Sequence, residues 1–173
     1  MTDAPWGEVP DSMRVLINAL RGSVARHSEE LENIAWPAGP GDFSPQLLRT
    51  LSETEAVMQA AKDLRSLLTA YAHKVHQPRP KMADIAQAQN ASPQAVTGRY
   101  SASTLGAIEG ALRVGRGEPA EADDGGPVGP PDFSAALRHA FPSLTEMLEA
   151  DGGHSNLEEW FRTRLSAVEK HEL

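Results

Sequence analysis

At 173 residues, 40% of them apolar but only 5% aromatic, the chain fits one helical core, or one with a small appendage, built from Leu, Ala, Val, Ile and Met. The lack of Cys excludes disulfides, thiol nucleophiles and cysteine-ligated zinc, and no apolar run approaches the roughly 18 residues of a membrane span. The net charge of −8 argues against a nucleic-acid partner until it is divided along the chain, because residues 74–116 carry six Lys/Arg against two Asp/Glu while both flanks are acidic.

The opening MTDAPWGEVPDS lacks the basic and apolar regions of a secretion signal, so a cytoplasmic location is expected. The first helix is predicted to open at Asp11 or Ser12, either able to cap orphan amides, and to end near Ala35, before Pro37. Met13, Ile17, Leu20, Val24, His27, Leu31 and Ile34 alternate four- and three-residue spacings, a heptad-like seam for the next helix or for a second subunit. His27 reads as a polar interruption of that seam rather than a ligand. After WPAGPGDFSP, Ser44 offers an N-cap with Pro45 at the first helical position. Ser52 and Glu55 fit a capping box, so the long helix is expected to restart at Ser52. Val57, Ala61, Leu64, Leu68, Tyr71 and Val75 make a second seam, the natural antiparallel partner of the first, and Pro78 and Pro80 stop the helix near Gln77.

Three short helical segments follow, Lys81–Gln89, Ser92–Tyr100 and Ser103–Val114, and then GRGEPAEADDGGPVGPP, a flexible linker by composition. The tail holds two more helices, with capping-box patterns at Ser143/Glu146 and Ser155/Glu158 and an apolar stripe of Leu157, Trp160, Phe161, Leu165 and Val168. Trp160 and Phe161 on a short helix beyond a linker suggest docking, onto the main bundle, within a homodimer, or onto a protein partner. The expected division is 1–77 as a helical hairpin for scaffold or dimerisation, 78–114 as the functional unit, 115–131 as linker and 132–173 as an acidic helical tail, all within an all-α fold.

Residues Met82–Tyr100 meet the steric demands of two helices joined by a tight turn. Ile85 and Val96 lie where the helices bury apolar groups on each other, and Ala86 is small where they come closest. Asn90 stands at the turn, where a left-handed backbone is needed; Ser92 can cap the second helix and Pro93 suits its first turn. This segment resembles the helix-turn-helix family of bacterial DNA-binding proteins, in which an Ile-Ala pair, a turn Gly, a capping Ser and a later Val stand at these spacings. It is most similar to small regulators whose second helix ends in Arg and an aromatic, here Arg99-Tyr100, behind a long amphipathic helix. Asn90 replaces the usual Gly, and Ala91 a larger apolar residue.

The resemblance implies a homodimeric, sequence-specific regulator of transcription bound to double-stranded DNA, with Ser92–Tyr100 as its recognition helix in the major groove. Gln94 would meet adenine, the Thr97 methyl thymine, and Arg99 guanine or a phosphate. Ser92, Lys74, Arg79 and Lys81 would hold the backbone, and Gly98 leaves room for close approach. Enzyme signatures are missing: no P-loop, dinucleotide fingerprint or nucleophile elbow occurs. His73 and His76 read as solvated histidines at a helix end, and Asp123-Asp124 lack the bidentate Glu of a calcium loop. No catalysis, cofactor, metal or membrane contact is expected. The competing reading is a non-enzymatic helical adaptor that binds a protein partner through the Trp160/Phe161 tail.

Overall fold

The computed structural model describes residues 8–119, 132–150 and 156–171, and every regular element among them is helical. In chain order these are α1 (Asp11–Glu32), α2 (Ser44–Ala70) with a π-helical turn Tyr71–Val75, α3 (Met82–Ala88), α4 (Pro93–Val96) with a 3-10 turn Thr97–Arg99, α5 (Ala102–Gly115), α6 (Phe133–Ala140), a 3-10 turn Pro142–Leu144, α7 (Thr145–Ala150) and α8 (Leu157–His171). The fold is all-α.

The α1–α2 hairpin is antiparallel, but its seam on α2 is rotated from the expected one. Ala60, Asp63, Leu67 and Ala70 face inward, whereas Ala61 and Leu68 are exposed. The rotation follows from Asp63, which no apolar period includes. Its Oδ2 accepts from the Ser143 backbone N–H at 2.9 Å and hydroxyl at 2.6 Å, and its Oδ1 accepts from Gln59 Nε2 at 2.7 Å. Burial pushes the Asp63 carboxyl above the ordinary Asp value, and these hydrogen bonds act the other way. Ser143 is therefore a tie to α2 rather than half of a capping box with Glu146.

The tail is part of the main core. Phe133, Phe141, Trp160 and Phe161 are its four largest fully buried side chains, packed with Met13, Leu16 and Leu20 of α1 and Ile108 of α5. Trp160 and Phe161 lie inside this core and not on its surface. Leu, Ala, Val, Ile and Met make up most of the core, as the composition requires, and the tail's aromatics supply its largest side chains.

Helix boundaries shift for local reasons. Neither Asp11 nor Ser12 caps α1, which starts behind Pro10 and ends at Glu32. Ser12 instead packs under Gly115, where a Cβ would come within 3.0 Å of its side chain. Phe43 precedes α2, and Asp42 Oδ1 accepts the Ser44 amide at 2.9 Å. The helix then runs unbroken through Ser52, so no capping box forms there. Asn156 caps α8 by accepting from the Glu159 amide at 2.8 Å; Ser155 lies outside the described residues. Of the expected linker 115–131, residues 120–131 also lie outside them; before these, Gly117 takes φ 74° and closes the end of α5.

Candidate nucleic-acid interface

Past Ala70 the long helix widens into the π-helical turn, which carries His73 and Lys74 near its end. The prolines that follow lead to α3, and α3 closes on Asn90. Among the described residues Asn90 is the non-glycine residue with positive φ, 48°. Its amide donates to the Gln87 carbonyl at 3.0 Å, and the Ala91 amide donates to the Ala86 carbonyl at 2.9 Å. This paired closure is the Schellman arrangement, and it requires a left-handed residue where Asn90 stands. Ser92 Oγ then accepts from the Ala95 amide at 3.3 Å to start α4.

Beneath the turn, Ile85, Ala86 and Val96 form a small core of their own, flanked by Ala72 and Met82. The second helix is shorter than the expected Ser92–Tyr100. Its α-helical part is Pro93–Val96, Thr97–Arg99 is 3-10, and Tyr100 is extended at φ −143° and ψ 161°. Two causes lie nearby. Thr97 and Gly98 have low helix propensity, and the Tyr100 hydroxyl pairs with His73 Nδ1 at 2.6 Å. Tyr100 also leads directly into Ser101, which forms a capping box with Thr104 at the head of α5; a Thr rather than Glu at the third position hid that signal.

Of the residues singled out in the sequence, Ser92, Gln94 and Thr97 share one exposed turn. Thr97 donates its hydroxyl to the Gln94 carbonyl at 3.0 Å. Lys74, Arg79 and Lys81 are exposed on the approach to α3, and Arg79 donates to the Lys74 carbonyl at 3.3 Å. Arg99 does not join Gln94. It is half-buried and lines a cleft of about 550 Å3 between α2 and α3, along with Arg65, Leu68, Ile85 and Ala88. Gln89 crosses this cleft and donates to Thr69 Oγ1 at 2.9 Å, which ties the turn to α2. A Cβ built on Gly98 meets nothing within 4 Å.

His73 and His76 are not merely solvated. Each has a phenol partner, Tyr100 for His73 and Tyr71 for His76, the latter at 3.2 Å. Burial, and then the charges of Lys74 and Arg79, hold the His73 pKa below its ordinary value.

A second polar cluster went unread in the sequence. His27 is buried, with Nδ1 at 3.3 Å from Glu53 and Nε2 at 2.5 Å from Glu146, whose carboxylate also accepts from Arg26 at 2.6 Å. His27, Glu30 and Glu53 bring ligand atoms within 4.8 Å of one another. Arg26 supplies a positive charge beside these carboxylates, and the cluster clamps α1, α2 and α7 together. Its partners lie 26 and 119 residues from His27, so spacing could not reveal it.

In comparisons with family models, curated proteins and solved structures, none matches the chain.

Proposed function

We propose that the chain is a sequence-specific DNA-binding protein, a homodimeric regulator of transcription whose helix-turn-helix reads the major groove with residues 92–100. The observation that carries this reading is the Asn90 turn. It stacks Val96 on Ile85 and Ala86 and leaves Gln94 and Thr97 exposed on the other side, inside the one net-positive stretch of an acidic chain. A duplex meets only the surface that faces it, so a local excess of cations can dock while acidic flanks turn away.

The roles follow from the contacts. Gln94 is free to pair with adenine. The Thr97 hydroxyl is taken by the Gln94 carbonyl, which leaves its methyl group for thymine. Ser92 accepts at its cap and keeps a hydroxyl proton for a phosphate, and Lys74, Arg79 and Lys81 supply charge at the edge. Arg99 reaches the duplex from the rim of the cleft. A protein-partner adaptor working through the tail has less support, since Trp160 and Phe161 are 2% and 0% exposed.

The test is fluorescence anisotropy with sites selected from random DNA, at two salt concentrations. Salt-sensitive, sequence-preferring binding is expected, and its absence at micromolar protein overturns the reading. Arg99→Ala should relax preference at one base position by about 1–3 kcal/mol, while Lys81→Ala weakens all sequences alike. Equal effects from both would refute the assigned roles.

A further inference from the structure

Helix α2 packs one side on α1, and among the described residues most of the opposite side is left exposed. On that side lie Leu47, Leu51, Met58 and Leu68, between 41% and 62% exposed. With Thr54, Ala61 and Arg65 between them, their spacing alternates four and three residues, the repeat of a coiled-coil seam. At its C-terminal end the stripe runs into the cleft beside Leu64, Ala72 and Ile85. At its N-terminal end Leu48, 68% exposed, widens the apolar surface.

We infer that this stripe is the dimer interface, paired antiparallel with the same stripe of a second copy. Charge sets the orientation. Glu55 and Lys62, both exposed, flank the seam on the same edge one heptad apart. A two-fold axis midway between Met58 and Ala61 lays Glu55 beside Lys62 of the second copy, and Lys62 beside its Glu55. A parallel pair would set Glu55 against Thr50 and Lys62 against Val57, with no ion pair. The antiparallel register also puts Leu51 on Leu68 of the second copy, and Thr54 on its Arg65. It also sets Leu47 of each copy opposite Ala72 of the other, on the α2 side of the cleft.

This pairing deepens the regulator reading and rests on it for its purpose. At 1.5 Å per residue, the two Thr69 anchors lie about 28 Å apart along the helix pair. An interaxial separation of about 8–10 Å brings that to about 30 Å, near the roughly 34 Å between half-sites one turn apart. The two-fold keeps both turns on the same side of the pair.

Sedimentation of the full chain without DNA tests the interface. A dimer is expected. E55K or K62E should raise its Kd about tenfold, and E55K/K62E should restore it. L51E should give a monomer with unchanged far-UV circular dichroism, since Leu51 is exposed in the single chain. The chain has no Cys, so under oxidation L51C mixed with L68C should cross-link as a heterodimer, and L51C alone should not. A monomeric wild type, a charge swap that does not restore the dimer, a dimeric L51E, or self-linking L51C overturns the pairing. A monomer that binds DNA with sequence preference removes this interface and leaves the DNA reading standing; a dimer of this geometry without DNA affinity does the reverse.

Discussion

The imidazole of His73 sits between a phenol and two cations, and its protonation is linked to folding. Burial and the charges of Lys74 and Arg79 hold its folded pKa below the ordinary value of 6.5. A depressed folded pKa means that the unfolded chain binds the proton more readily. The stability contribution is therefore whole above pH 6.5 and is lost as pH falls from there through the lower folded value. In urea titrations from pH 7.5 down to pH 5, at about half-unit steps, the wild-type midpoint should fall more steeply than that of His73→Gln; parallel slopes would contradict the linkage. Residues of this kind were the least legible in the sequence. Asp63, His27 and His73 each owe their surroundings to side chains brought close by the fold, and a polar residue inside an apolar period gives no sign of its partner.

At the level of elements, legibility followed the range of the interactions. The Asn90 turn and the Ser92 cap are fixed within a few residues, so their chemistry could be read directly. Asp63 is tied to Ser143, 80 residues away. In the four-three pattern of Val57, Ala61, Leu64, Leu68, Tyr71 and Val75, the side chains of Leu64, Tyr71 and Val75 pack into the core while Ala61 and Leu68 face out. The brevity of α4 makes Gly98 informative. A Cβ there meets open space, so Gly98→Ala should leave the unfolding free energy unchanged or raise it by up to about 1 kcal/mol from helix propensity, read from urea titration. If this turn lies against a groove, the same methyl weakens DNA binding. Unchanged affinity would place the duplex elsewhere.

For the molecule as a whole, composition and periodicity indicated packed helices but not which segments share a core. Trp160 reads as a docking anchor for the main bundle, a homodimer or a protein partner, and in the fold it fills the centre of the bundle. Trp160→Ala should cost about 3–5 kcal/mol and destabilise α1 and α5 together with α8, measured as a single shifted unfolding transition by circular dichroism. Loss of α8 alone would mean that the tail folds separately. The Ile85, Ala86 and Val96 cluster is a different matter, since it is separate from that centre and is tied to the rest through Ala72, Met82, the Gln89–Thr69 bond and the His73–Tyr100 bond. Its opening exposes only a few side chains, so it requires far less free energy than global unfolding. Backbone amides of Ala86–Ala91 should exchange with deuterium well before those in the middle of α1, and bound DNA should slow them selectively. The segment proposed to read DNA would then spend part of its time open in solution, and binding would draw on its order as well as its contacts.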